Sequence, residues 1–194
     1  IKPGEKVALL GKIGSGKTTL LRSMSGLISA NKGVIKLGGV DINHVHPDDL
    51  RKNVAICLQT PLLFSGTLKE NILLGNPEAT DEEIMHYSKM TGVDEIANNM
   101  PDGFASLINE RGDVLSGGQR QAISITRTLI TEPNILLLDE PTSSMDPQTE
   151  KFVLKNIKNW MKNKTVVIAT HRGQILDLVE RVIILDSGKL VADG

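Results

Sequence analysis

Short apolar runs alternate along the chain with longer stretches in which apolar residues recur at helical spacing. The runs cover residues 7–10, 34–37, 54–58, 134–138, 165–170 and 182–185. Continuous apolar runs of this length are typical of strands that are buried on both faces. Because helical patterns separate these strands, the sequence predicts an α/β fold with a mainly parallel sheet.

Helix signals occupy most of the intervening sequence. Predicted helices cover residues 17–27, 47–52, 67–74, 116–131 and 148–160, with a short one near Gln174. Thr80 and Glu83 have the spacing of a capping box, which predicts the start of another helix. We therefore expect residues 60–131 to form a mostly helical insert, and residues 1–59 and 132–194 to form the α/β core.

Composition excludes several classes of protein. A length of 194 residues with 40% hydrophobic residues favours one domain with a proper core. The net charge of −1 argues against a broad nucleic-acid-binding face. A single cysteine, Cys57, excludes an internal disulfide and fits a reducing compartment. The apolar runs are far shorter than the ~18 residues that a membrane span needs. Since the chain begins at Ile1, we expect it to have been cut from a longer protein.

A glycine-rich loop follows the first predicted strand and precedes the first predicted helix. Its residues, with the one that follows, are Gly11, Lys12, Ile13, Gly14, Ser15, Gly16, Lys17, Thr18 and Thr19. They fit the P-loop pattern G-x-x-x-x-G-K-[ST], whose backbone N–H groups cradle phosphates. The helix N-terminus adds partial positive charge. We expect Lys17 to meet the β- and γ-phosphates and Thr18 to offer its hydroxyl to Mg²⁺.

Two acids follow the apolar run at residues 135–138, in the manner of a Walker B strand. Ligands of α/β sheets lie at the carboxyl ends of the strands, where Asp139 and Glu140 emerge. We expect Asp139 to hold Mg²⁺, through water, and Glu140 to orient or deprotonate an attacking water. A solvated acidic turn is the alternative, and the presence of the P-loop disfavours it.

A second anion site is predicted about a hundred residues after the first. The sequence Leu-Ser-Gly-Gly-Gln at residues 115–119 opens a helix, so Ser116, Gly117, Gly118 and Gln119 can meet an anion at its N-terminus. Two phosphate sites in one chain are most simply explained as parts of a composite site.

These three motifs, in this order, resemble the ATPase cassette of ABC proteins over essentially the whole chain. The resemblance implies a P-loop NTPase with a RecA-like core, a helical subdomain, and ATP with Mg²⁺ as ligands. It also implies a head-to-tail pair of cassettes, with ATP lying between the P-loop of one and the signature sequence of the other.

Three further residues acquire roles only through the resemblance. Gln59 ends a predicted strand where the family's glutamine touches Mg²⁺ and the attacking water, although it could be a surface glutamine. Asp146 stands at the family's D-loop position, and could equally cap the helix that begins at Pro147. His171 follows a strand as the family's switch histidine does, where it contacts the γ-phosphate, although a lone histidine is often structural.

Other segments resemble a particular branch of the family. Residues 64–72 are similar to the part of exporter cassettes that faces the membrane domain, and residues 110–112 to the exporter x-loop. The glycine loop with Ile13 and the stretch 139–146 with Met145 resemble the corresponding sequences of type I secretion ATPases, which export RTX-type toxins or adhesins. The resemblance implies a transmembrane domain fused upstream and a place at the cytoplasmic face of the inner membrane.

One departure from the family lies at the start of the chain. No aromatic residue precedes Gly11, whereas family members stack adenine on an aromatic side chain from an earlier strand. Stacking of a base is worth ~1–3 kcal/mol, so we expect this chain to bind ATP about tenfold or more weakly than a complete cassette.

Several alternatives stay open at this point. The cargo could be a lipid, a peptide or a drug rather than a protein. A repair or chromosome ATPase is disfavoured because no sustained heptads separate Gln59 from Leu115. A translation factor is disfavoured by the exporter-like segments. A non-catalytic nucleotide sensor is disfavoured because every catalytic position is filled.

Overall fold

The computed structural model describes residues 1–109 and 112–194. The described residues group into two compact units. The first contains Ile1–Leu58, Pro133–Glu140 and Met161–Gly194, and the second contains Gln59–Glu132 and Pro141–Trp160. Residues 141–160, which the sequence assigned to the α/β core, thus belong to the second unit. The division of the chain into a catalytic core and a helical subdomain stays a prediction. No helix in the described part of the chain is long and apolar enough to cross a membrane.

The first unit is built on a sheet. Its strands are β1 (Lys6–Leu10), β2 (Lys36–Leu37), β3 (Val40–Asp41), β4 (Val54–Cys57), β7 (Ile135–Asp139), β8 (Thr165–Thr170), β9 (Arg181–Asp186) and β10 (Lys189–Asp193). Its helices are α1 (Lys17–Met24) and α2 (Pro47–Asn53), with 3₁₀ turns at Ile42–His44, Met161–Asn163 and Gly173–Leu178. Six of the described strands form one sheet in the order β10-β9-β1-β8-β7-β4. All neighbours are parallel except β9 and β10, which confirms the predicted mainly parallel sheet.

The sheet is held by a core of apolar side chains. Leu9, Leu137 and Val167 come from three adjacent strands and are at most 1% exposed, and Leu21 of α1 packs with them. Because parallel strands end at the same edge, the glycine loop after β1, the acids at the end of β7 and the residue after β8 emerge together. The register agrees, since Leu10 pairs with Thr170 and Asp139 pairs with Ala169.

Two predicted elements are shorter than expected. Helix α1 ends at Met24 rather than near Leu27, because Gly26 adopts a φ of 75° and the Leu27 N–H donates to the Arg22 carbonyl at 2.9 Å. This is a Schellman-type ending, which terminates the helix. The strand predicted over residues 34–37 is reduced to β2, which pairs with β3 as a small antiparallel ribbon.

The second unit is mostly helical. Its elements are β5 (Gly66–Thr67), α3 (Leu68–Leu73), α4 (Asp81–Thr91), α5 (Val93–Asn98), a 3₁₀ turn at Gly103–Ala105, β6 (Leu107–Ile108), α6 (Gly117–Leu129) and α7 (Pro147–Trp160). The predicted capping box is present, since the Glu83 N–H donates to the Thr80 hydroxyl at 3.2 Å and the Glu83 carboxylate accepts from the Thr80 N–H. Helix α6 packs against α3, α4 and α5, so its buried face is central to this unit.

Candidate nucleotide-binding site

The glycine loop of the first unit encloses the lysine that follows it. Gly14 and Gly16 have φ angles of 80° and 100°, a left-handed region that glycine adopts without steric cost. The buried Lys17 donates from Nζ to the carbonyl oxygens of Gly11, at 2.7 Å, and Lys12, at 3.2 Å. These bonds hold the ammonium group inside the loop, where we predict that it meets phosphate oxygens.

The loop packs against the end of β9 and against the turn that joins β9 to β10. A Cβ atom at Gly11 would lie 2.3 Å from the Leu185 carbonyl oxygen and 2.4 Å from the Ser15 hydroxyl, so no side chain fits there. The Gly188 N–H donates to the Ser15 carbonyl at 3.1 Å. At the tip of the loop, the Ile13 side chain is 99% exposed.

Asp139 is a buried carboxylate at the carboxyl edge of the sheet. It is 1% exposed at the end of β7, and neither of its carboxylate oxygens has a hydrogen-bond partner among the residues that the structure describes. The pKa of Asp139 is raised overall, chiefly by burial and also by the charge of Glu140. The Thr18 hydroxyl and the Lys17 ammonium group oppose this shift in part. Magnesium sites commonly use one or two carboxylates together with phosphate oxygens and water. Asp139 and Thr18 therefore fit the predicted Mg²⁺ site.

Glu140 is fixed by groups at the end of β8. Its φ of 47° is unusual for a residue other than glycine, and its N–H donates to the Ala169 carbonyl at 2.9 Å. The Thr170 hydroxyl donates to one carboxylate oxygen at 3.2 Å, and His171 Nδ1 lies 2.6 Å from the other. The structure thus brings together the predicted base and the predicted histidine. A carboxylate held in this way can orient a water and accept its proton.

Thr170 is a site residue that the sequence did not single out. It is fully buried, and it also accepts the Arg172 N–H at 3.0 Å through its hydroxyl. A threonine at the end of an apolar strand suits the strand itself, so its sequence carries no separate chemical signal. Its position directly before His171 was the sole hint.

The signature sequence in the second unit caps helix α6. The Gln119 N–H donates to the Ser116 hydroxyl at 3.2 Å, and the Ser116 N–H donates to the Gln119 side chain at 2.8 Å. This capping box starts a helix of 13 residues, whose first N–H groups and dipole attract anions. The predicted second anion site therefore has the required local geometry.

The start of α6 opens into a cavity of about 570 Å³ within the second unit. Its lining contains four of the predicted nucleotide residues, namely Ser116, Gly118, Gln119 and Asp146, and also the exposed Phe152. The structure therefore gathers the signature sequence and the D-loop aspartate at one surface of this unit.

Asp146 also caps helix α7. Its carboxylate accepts the N–H groups of Gln148, at 3.0 Å, and Thr149, at 3.1 Å, and the Thr149 hydroxyl at 2.6 Å. These bonds, chiefly the one from the Thr149 hydroxyl, lower the pKa of Asp146. The capping role is confirmed, and a contact with nucleotide stays a prediction.

The remaining predicted residues lie elsewhere. Gln59 is exposed at the start of the second unit and is not in the lining of that cavity, so its metal role stays a prediction. Glu110 and Arg111 of the predicted x-loop lie outside the described residues.

A phosphate loop and a buried Asp-Glu pair at the carboxyl edge of a parallel sheet define a P-loop nucleotide-binding protein. The sequence profile of the ABC transporter family matches residues 1–143, so the chain belongs to that family. The chain is the ATP-binding domain of a member of this family, and it is an ATPase, as the sequence predicted.

Known relatives support this assignment along the whole chain. An uncharacterised ABC transporter ATP-binding protein of Bacillus subtilis, YknV, is 41% identical over all 194 residues, which cover 32% of that protein. The mycobactin import ATP-binding/permease protein IrtB of Mycolicibacterium thermoresistibile is 38% identical, and the match covers all of this chain and 34% of that protein.

A solved structure of a bacterial Atm1-family ABC exporter with ATP bound superposes with a TM-score of 0.94 at 32% identity. This match covers the whole of the present chain and 34% of the exporter chain, and it confirms the predicted fold. The chain thus spans about a third of the length of the relatives that it matches.

Proposed function

We propose that the chain is the ATP-hydrolysing cassette of a membrane exporter at the cytoplasmic face of the inner membrane. Similarity to an ATP-bound exporter over the whole chain supports this proposal. Because the relatives are about three times as long, a fused transmembrane domain is the natural partner. One relative is named as an importer, so the exporter-type cassette alone does not fix the direction of transport.

A narrower proposal concerns the cargo. The proposal of type I secretion rests on Ile13 in the phosphate loop and Met145 in the D-loop. The names of the similar proteins described above do not mention type I secretion. Export of a lipid, a peptide or a drug is compatible with the same site, because the cassette contacts nucleotide rather than cargo.

The first unit provides the hydrolytic machinery in this proposal. Lys17 and the loop N–H groups bind the β- and γ-phosphates, and Thr18 and Asp139 serve Mg²⁺. When bound, the cation supplies charge neutralisation between the phosphates. Phosphoryl transfer leaves little covalent work for the protein, so positioning and electrostatics account for most of the catalysis.

The observation that carries the proposal is the arrangement around Glu140. With its carboxylate held by Thr170 and His171, Glu140 can orient the attacking water and take its proton. His171 Nδ1 faces Glu140, so Nε2 points away from that carboxylate and can donate to the γ-phosphate when both ring nitrogens carry a proton. Dimerisation completes the site, because the signature sequence of a second cassette covers the nucleotide.

The test compares Glu140→Gln with Glu82→Gln, a change at an exposed position in the first turn of α4. Loss of the base should lower kcat for Mg-ATP hydrolysis by a factor of roughly 10² to 10⁴ while the nucleotide Kd stays unchanged. Glu82→Gln should hydrolyse ATP like the wild type. Near-normal turnover in Glu140→Gln would remove Glu140 from the catalytic role.

A further inference from the structure

We propose that Gln121 is a positioning residue that fixes the D-loop, residues 142–146, to the signature helix α6. The two segments would then meet a partner's nucleotide as one rigid surface. This inference rests on the proposed head-to-tail pairing and adds a residue outside the recognised motifs.

Gln121 contacts the D-loop through both ends of its amide group. It lies on α6 and is 0% exposed. Its Oε1 accepts the backbone N–H of Ser144 at 3.0 Å, and its Nε2 donates to the Ser143 hydroxyl at 3.3 Å. Since the amide oxygen of the buried Gln121 is costly to leave without this donor, the Ser144 bond favours this one placement of the loop.

The signature glycines permit the same close approach. A Cβ atom at Gly118 would lie 3.0 Å from the Ser144 carbonyl oxygen and 3.5 Å from the Met145 Cα atom. One at Gly117 would lie 3.3 Å from the Ser144 Cβ atom. The D-loop backbone therefore packs directly on the first turn of α6, and a side chain at Gly118 would have to push the loop away by a few tenths of an ångström.

Both ends of the D-loop are fixed to helix α7. At one end, the buried Thr142 hydroxyl donates to the Glu150 carboxylate at 2.6 Å. At the other end, Asp146 caps the helix through Thr149. Gln121 provides a side-chain link from the middle of this loop to α6.

The position of this link explains its expected effect. Ser116 and Gly118 of the signature sequence line the same cavity as Ser144 and Asp146 of the D-loop. If the partner's nucleotide meets both segments at once, their relative placement determines how well that nucleotide is enclosed. Release of the D-loop should weaken enclosure without changing the first binding of nucleotide to the glycine loop.

The experiment measures trapped ATP in the full-length polypeptide that carries this chain. In the Glu140→Gln background, Mg-ATP should stay bound through rapid gel filtration because it is enclosed and not hydrolysed. Adding Gln121→Met, which keeps the shape but removes both hydrogen bonds, should lower the retained ATP about tenfold, equivalent to about 1.4 kcal/mol. Adding Ser143→Ala should lower it a few-fold, since this removes the Nε2 contact and keeps the bond from Ser144 to Oε1.

Thr126→Val is the matched control on the same helix. Thr126 is also 0% exposed, and its hydroxyl bonds to the Ala122 carbonyl and the Thr91 hydroxyl rather than to the D-loop. This variant should lose a comparable amount of stability and yet retain ATP. Equilibrium binding of a fluorescent ATP analogue in the same three variants should stay unchanged, which separates enclosure from binding.

The outcomes separate the two proposals. Failure of Glu140→Gln alone to retain ATP would contradict the proposed composite site. Retention by Gln121→Met equal to that background, or an equal loss in Thr126→Val, would overturn the positioning role. If Gln121→Met does not fold, Ser143→Ala decides, and unchanged retention in that variant would overturn the inference.

Discussion

Replacement of Gly11 by alanine tests how the phosphate loop is supported. The added Cβ atom would lie 2.3 Å from the Leu185 carbonyl oxygen and 2.4 Å from the Ser15 hydroxyl. Carbon–oxygen contacts normally begin near ~3.3 Å, so the loop and β9 must separate by roughly 1 Å. Neither group is the end of a long flexible side chain, and the strain therefore falls on backbone.

The expected cost follows from this displacement. Overpacking of a well-packed site costs ~1–3 kcal/mol, and we expect the upper part of that range because a sheet strand must move. At ~2–4 °C per kcal/mol for a chain of this size, the melting temperature should fall by several degrees. Affinity for nucleotide should fall by a factor of about 10 to 100, since a misdirected bond to a charged phosphate costs ~1.5–3 kcal/mol.

Gly173→Ala is the matched control, because nothing lies within 4 Å of the added atom and its φ is outside the left-handed region. This variant should stay within ~0.5 kcal/mol of the wild type. Thermal unfolding and ATP-analogue titration of both variants provide the measurements. Equal melting temperatures and affinities in Gly11→Ala and Gly173→Ala would refute the steric argument.

Two further predictions concern polar side chains, one in each unit. Burial raises the pKa of Asp139, so the folded state holds its proton more tightly and stability falls as the pH rises through that pKa. Without nucleotide at neutral pH, Asp139→Asn should therefore unfold at a higher urea concentration than the wild type. The difference in stability should vanish below the ordinary pKa of the carboxyl group. Lower stability of the variant at neutral pH would contradict this. Arg127 donates to the Asn71 and Leu62 carbonyls at 2.7 and 2.8 Å, and to the Asn71 side chain at 3.0 Å. Because lysine cannot reproduce this fork, Arg127→Lys should still cost ~1–3 kcal/mol in urea unfolding, whereas wild-type stability would contradict the assigned bonds.

Local chemistry made much of the site predictable. Lys17, Asp139 and Ser116 stand at fixed distances from a strand end or a helix start, and the hydrophobic pattern located those ends. The sequence therefore predicted that the glycine loop and the two acids share one sheet edge. The capping role of Asp146 was also visible, since Pro147 follows it.

Contacts between distant segments were not predictable. The bond from Thr170 to Glu140 depends on the pairing of β7 with β8, and the bonds from Gln121 to Ser144 depend on how α6 packs. Neither glutamine nor threonine signals such a partner by its local sequence. The predicted helix α1 was too long because the apolar Leu27 fits the helical pattern, whereas the left-handed conformation of Gly26 ends the helix before it.

Complementation between two inactive subunits tests whether two cassettes share each nucleotide site. Lys17→Ala disables the phosphate loop, and Ser116→Arg blocks the signature sequence. In a mixed dimer, a site shared between subunits would combine both defects in one place and leave the other site intact. We expect mixed subunits to regain on the order of a quarter of wild-type hydrolysis, since about half of the dimers are mixed and each holds one working site. Hydrolysis no greater than that of either variant alone would contradict it.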